Sequence, residues 1–192
     1  FVAAALGQAL VLTGGVGRGQ AVLYVPRHVP APDDPLHSDC VALLAAHVAQ
    51  TLGGRTLVLT TTLRAMRSIG RSLEHHFAAC GDMDVLVQGE HSKRTMIERF
   101  TCLHSNKPTR SVMVASASFW QGIDIPGEFL QAVIIDKLPF APPDDPLVAA
   151  RSRAMELAGK KPFVHLHIPH AAIVLKQGAG RLIRSEADRG LL

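Results

Sequence analysis

Gln177, Gly180, Arg181 and Arg184 stand in the order Q-x-x-G-R-x-x-R near one end of a 192-residue chain. The run joins an amide, close-packing glycines at Gly178 and Gly180, and two guanidinium groups. Arg181 and Arg184 are three positions apart, so on a helix they share a face. Two guanidinium forks on one face clamp a multiply charged oxyanion, most commonly a phosphate. The same layout serves as an arginine finger toward a nucleotide held on another domain, stabilising charge as the γ-phosphoryl group leaves. A bare R-x-x-R is otherwise a solvated basic face, so the run draws its meaning from what precedes it.

The bulk properties describe what must position such a site. Hydrophobic residues make up 47% of the chain and aromatics 5%, which predicts a core of Ala, Val, Leu and Ile. The net charge is +4, compatible with a polyanionic partner. Cys40, Cys80 and Cys102 are far apart and form no C-x-x-C pair, which points to a reducing, cytoplasmic setting and away from a zinc or iron–sulfur site in this chain. Residues 1–12 are apolar but too short to span a bilayer, and no basic flank precedes them, so no signal sequence and no membrane partner are expected. Phe1 in place of an initiator methionine leads us to expect a piece of a longer protein.

From residue 21 strand and helix signals alternate. Strands are expected at 21–25, 56–60 (TLVLT), 84–88 (DVLVQ), 111–116 (SVMVAS) and 131–136 (QAVIID). Between them, Ser38 is expected to cap a helix with Val41, Leu44, Val48 and Leu52 on one stripe. A second helix has Leu63, Met66, Leu73 and Phe77 on its stripe, a third starts at Ser92, a fourth runs from about Leu147 to Leu157, and the Arg181/Arg184 segment is the last. His165 and His167 alternate as on a strand face, without a ligand partner at metal spacing. Apolar runs separated by amphipathic helices predict a parallel α/β sheet covered on both faces. In such sheets ligand sites lie beyond the carboxyl ends of the strands.

The loops at those ends carry the remaining candidates. Thr60, Thr61 and Thr62 lead into a helix, where hydroxyls and N–H groups suit a phosphate or simply cap the helix. Gln88, Gly89 and Glu90 form a generic turn. In Ser118-Phe119-Trp120-Gln121-Gly122-Ile123-Asp124, Trp120 either stacks on a nucleobase or packs beneath the loop, and Asp124 either accepts from a ribose, orients an arginine, or caps the turn. The glycine-rich stretch Gly14–Gln20 lacks the G-K-[ST] ending of a phosphate loop, and no acidic metal pair follows it.

Taken together, the loops resemble the second helicase domain of the DinG/YoaA branch of superfamily 2, relatives of XPD. The resemblance covers residues 21–190: LYVPR (23–27), TLVLTTTLRAM (56–66) as motif IV, SFWQGIDIPG (118–127) as motif V, VIIDKLPFAPPDDPL (133–147) after it, and QGAGRLIRSEADRG (177–190) as motif VI. It implies a RecA-like (P-loop NTPase-type) parallel sheet with helices on both faces, as the second motor domain of an ATP-dependent DNA helicase. Residues 1–20 would be a residual linker from the first motor domain, and residues 21–192 a domain lacking a final strand. Arg184 would be the finger, assisted by Arg181; Gln177, Gly180, Gly122 and Asp124 would face ATP. Thr60, Thr61, Thr62, Ser116, Ser118 and Trp120 would line the path of single-stranded or forked DNA. ATP and Mg2+ would be bound mainly by the first motor domain in cis, so the isolated chain would be inactive. This chain departs from the family in having Gln121 in place of a glutamate. That departure keeps a second expectation open, a non-catalytic nucleic-acid-binding or regulatory remnant of a helicase. A third, a small-nucleotide kinase using Gly14–Gln20, would require ATP binding by the isolated chain.

Overall fold

The computed structural model describes residues 9–12, 21–79, 81, 83–101, 110–116, 119, 125, 127–142, 144–180, 182–183 and 188–192. Along them run β1 (Ala9–Leu12), β2 (Ala21–Tyr24), α1 (His37–Leu52), β3 (Thr56–Thr60), α2 (Leu63–Ala78), β4 (Asp84–Val87), α3 (Lys93–Thr101), β5 (Ser111–Ser116), β6 (Ala132–Ile135), α4 (Pro146–Leu157), α5 (Ile168–Ala179) and β7 (Gly190–Leu191). The sheet order is β1-β2-β7-β6-β3-β5-β4. Every neighbouring pair is parallel except β1 with β2. The expected α/β architecture with a parallel sheet is therefore present.

Strand alternation divides the core into two layers. Leu57 and Leu59 of β3, with Met113 and Ala115 of β5, face the layer holding Met96 and Phe100 of α3. Val58, Val112 and Val114 face the opposite layer, built from α1 and α2. Each residue of β3 and β5 is buried, as continuous apolar strands at the centre of a parallel sheet should be. On α2 the buried stripe is Met66, Ile69, Gly70, Leu73 and Phe77, while Leu63, expected on it, is 54% exposed at the helix start. On α1 the buried face is mostly alanine (Ala42, Ala45, Ala46, Ala49), and the expected Leu44 and Leu52 are only half-buried. Small side chains let α1 lie close against α2.

Several boundaries differ from the sequence expectation. The helix α1 starts at His37 behind Leu36, which makes no side-chain cap, so Ser38 lies inside the first turn. At α3 Ser92 does cap, its hydroxyl accepting from Thr95 N–H at 3.2 Å. Asp145 caps α4 by accepting from Leu147 N–H (2.8 Å) and Val148 N–H (3.1 Å). His165 and His167 lie in a π-helical turn, Phe163–His167, that runs straight into α5, not on a strand. Residues 190–191 supply a strand where none was expected, between β2 and β6. Residues 9–12, within the segment expected as a residual linker and apolar enough for a strand or helix, form a strand that pairs antiparallel with β2.

Candidate functional site

Four parallel strands end side by side at the carboxyl edge of the sheet. Thr60 is in register with Ser116 across β3 and β5. Gln88 N–H donates to Val114 O at 2.9 Å, and Asp136 N–H donates to Leu59 O at 3.1 Å, which extends both outer ladders by one residue. Asp136, Thr60, Ser116 and Gln88 thus form a row across β6, β3, β5 and β4.

The row is fastened by its own side chains. Ser116 N–H and hydroxyl both donate to Gln88 Oε1, at 2.8 and 2.9 Å. Thr60 is fully buried, and its hydroxyl faces Thr62 O (3.2 Å) and Ala115 O (3.3 Å). The hydroxyls of Thr60 and Ser116 therefore shape the edge from within. Thr62 is the exposed member of the threonine run: it is the N-cap of α2, and its hydroxyl accepts from Ala65 N–H at 3.2 Å. Thr62, Leu63 and Arg64 are exposed at this start of α2, where the helix dipole favours an anion. Phe119, from the motif V-like loop, is 6% exposed, and Lys93 Nζ sits 5.2 Å from its ring centroid.

Asp136 was not singled out in the sequence, although it is a lone carboxylate closing the apolar run QAVIID, a usable signal. It is 7% exposed. Its Oδ1 accepts from Thr61 N–H (3.1 Å) and Lys137 N–H (2.8 Å). Burial pushes its carboxyl above the usual carboxylate range, against the opposing charge of Lys137, the two N–H groups and the charge of His37. A carboxyl raised in the folded state contributes stability at acid pH, and that contribution is lost as pH rises through the raised value. Asp136→Asn, which keeps an oxygen for both N–H groups, should therefore gain stability relative to the unaltered protein between acid and neutral pH. Denaturant midpoints across that range check it; a gain that is flat with pH would contradict the assignment.

Gln177 is exposed on the last turn of α5, and Gly180 is the C-cap of that helix. An added Cβ at Gly180 would meet Lys176 O at 2.9 Å. The helix ends at Ala179, and Leu182 N–H donates to Ala179 O at 3.0 Å in a turn. The helical continuation that would set Arg181 and Arg184 on one face is thus absent at Leu182 and Ile183. Arg181, Arg184, Gly122, Asp124, Ser118 and Trp120 themselves lie outside the described residues, as do Gln121 and residues 14–20. Of the expected site residues the structure brings together Thr60, Thr61, Thr62 and Ser116 at the edge; Gln177 and Gly180 belong to α5. Among the described residues no group of three His, Cys, Asp or Glu is arranged to hold a metal. Nor is any helix among them long and apolar enough to cross a membrane.

A parallel α/β sheet with polar residues gathered at its carboxyl edge is an architecture that places ligand sites beyond the strand ends. The chain belongs to the helicase C-terminal domain family, whose model matches residues 45–192. It is 41% identical over 173 residues to the ATP-dependent DNA helicase YoaA of Haemophilus influenzae, covering 90% of this chain and 26% of that protein. It is 37% identical over 172 residues to the ATP-dependent helicase DinG of Mycobacterium tuberculosis, covering 89% and 24%. With the 3'-5' exonuclease DinG of Bacillus subtilis the identity is 33% over 140 residues, covering 72% and 14%. The chain spans about a quarter of the length of the first two relatives. Among solved structures it is similar to T4 UvsW, with a TM-score of 0.42 and 16% identity, covering 81% of this chain and 34% of that one.

Proposed function

We propose that this chain acts as the second motor domain of an ATP-dependent DNA helicase of the DinG/YoaA type. The observation that carries the reading is the family match over residues 45–192, joined to 41% identity with a DNA helicase over nine-tenths of the chain. In this reading ATP and Mg2+ are held mainly by a first motor domain. Arg184, with Arg181 beside it, stabilises charge on the departing γ-phosphoryl group, and Gln177, Gly180, Gly122 and Asp124 face the nucleotide. Single-stranded or forked DNA crosses the carboxyl edge, its phosphates approaching the N-terminus of α2 at Thr61 and Thr62, with Ser118 and Trp120 further along the path. The exposure of Thr62, Leu63 and Arg64 at the start of α2 supports that placement. Residues 146–179 carry exposed Arg151, Arg153, Lys160, Lys161 and Lys176 against Glu156 as their one carboxylate, a basic stretch that suits a polyanion.

The test is ATP hydrolysis by the protein that carries this domain, with and without oligothymidylate, together with strand separation of a forked duplex. Strand-dependent hydrolysis and separation are the expected results. DNA binding with no hydrolysis would overturn the motor reading in favour of a non-catalytic remnant, to which Gln121 in place of a family glutamate would then be the pointer.

A further inference from the structure

The most unusual chemistry at the carboxyl edge lies behind the surface. Among the described residues two buried side-chain polar atoms have no hydrogen-bond partner, Asp136 Oδ2 and Thr61 Oγ1. They belong to residues already joined, since Thr61 N–H donates to Asp136 Oδ1. One holds an unused acceptor and the other an unused donor. An unsatisfied buried polar atom is costly, and a buried carboxylate more so. Thr61 lies in the turn between β3 and α2, and Asp136, at the end of β6, lies against it.

Asp136 is itself held from the far side. The imidazole of His37, in the first turn of α1 and 6% exposed, bridges two loops: Nδ1 lies 2.7 Å from Pro30 O and Nε2 lies 3.1 Å from Asp136 O. The connection therefore runs from the loop before α1, through His37, to the end of β6, and through the Asp136 carboxyl to the backbone of Thr61. Thr61 directly precedes the cap residue of α2. β3 ends at Thr60, and the turn that follows is held at Thr62 O by the Thr60 hydroxyl (3.2 Å) and Met66 N–H (3.0 Å) and at Thr61 N–H by the Asp136 carboxyl.

We propose that Asp136 is a positioning residue: with its backbone carbonyl held by His37, its carboxyl orients the Thr61–Thr62 turn so that the start of α2 meets a nucleic-acid phosphate. The inference rests on the proposed function, and it gives Asp136 and His37 a role that the sequence reading did not. Asp136 does not touch DNA, being closed from solvent; it acts through Thr61. The unused pair, Thr61 Oγ1–H and Asp136 Oδ2, gives the turn a second hydrogen bond to close when the phosphate settles. Loss of the carboxyl then weakens capture of the strand and leaves chemistry at the nucleotide largely intact.

The experiment uses the protein that carries this domain, with oligothymidylate as the probe and DNA-stimulated ATP hydrolysis as the readout, and with melting curves run in parallel. Asp136→Ala is expected to raise the half-saturating oligothymidylate concentration about tenfold, the worth of one hydrogen bond at a charged site, while kcat at saturating DNA changes less than about twofold. Asp136→Asn, which still accepts from Thr61 N–H, should restore half-saturation to within about threefold of the unaltered protein. His37→Ala should move half-saturation in the same direction as Asp136→Ala, and it decides the matter if Asp136→Ala does not fold. Half-saturation unmoved in both alanine variants would overturn the positioning role, as would a fall in kcat alone. If oligothymidylate stimulates no hydrolysis in the unaltered protein, the proposed function fails first, which is a separate result.

Discussion

Arg184→Ala, made in the protein that carries this domain, is expected to lower ATP turnover by about a thousandfold or more, the range in which an arginine finger acts. Affinity for oligothymidylate should change by less than about threefold. The asymmetry follows from where the charge is needed. A guanidinium meeting the γ-phosphoryl group stabilises charge that develops only as the bond breaks, so its removal leaves strand binding in the ground state intact. Arg184→Lys should recover little, because an ammonium is a point charge without the planar fork that grips two phosphate oxygens. Arg181→Ala is expected to fall in the same direction by a smaller factor. Steady-state hydrolysis and fluorescence anisotropy on the same preparations check both numbers. Turnover within about threefold of the unaltered protein would remove Arg184 from the finger role.

Gly54→Ala is expected to destabilise the fold by about 3 kcal/mol, lowering the melting temperature by about 6–12 °C. Gly53, Gly54 and Arg55 take positive φ in succession (65°, 90° and 50°) as the chain turns from α1 into β3. Arg55 tolerates its angle while its guanidinium donates to Leu52 O at 2.7 and 3.0 Å, closing the end of α1. At Gly54 the angle is less forgiving, and a Cβ would also strike the backbone of β5, meeting Ser111 N and lying 2.9 Å from Ser111 O. Backbone at the start of a central strand cannot swing aside as a side chain does. Gly53→Ala is the control: its nearest atom is the end of the flexible Arg55 side chain at 3.9 Å, so it carries only the conformational cost of about 1–2 kcal/mol. Equal losses in the two variants, measured by denaturant unfolding, would refute the steric part of the argument.

The sheet was legible wherever burial on both faces imposes a continuous apolar run. TLVLT and SVMVAS became β3 and β5, paired residue for residue. Helices were legible from their stripes, yet their ends were not. Ser38 is a better capping type than Leu36, but α1 begins where His37 can reach Pro30 O and Asp136 O, a tertiary demand that local preference does not contain. His165 and His167 alternate in a stretch too short to tell strand from helix, and helical continuity with α5 prevailed. The threonine run was recognisable as a strand-end turn, but not that Thr60 faces inward and Thr62 outward. That depends on where β3 stops. Asp136 and His37 are 99 positions apart, and their contact has no trace in spacing or periodicity.

The strand β7 has a consequence for how this molecule comes together. It is two residues long, and β2 reaches the rest of the sheet through it: Ala21 and Val22 pair with Gly190 and Leu191, while Ala132 pairs with Leu191. The β1–β2 ribbon is joined to the sheet by a pairing between residues 169 positions apart, Ala21 with Gly190. During synthesis the block from α1 to β6 can assemble from neighbours in sequence, whereas the β1–β2 ribbon waits with an open edge. Removing residues 190–192 should leave the main block standing and release the ribbon, so that protease cuts first near residues 21–36 and the remainder persists.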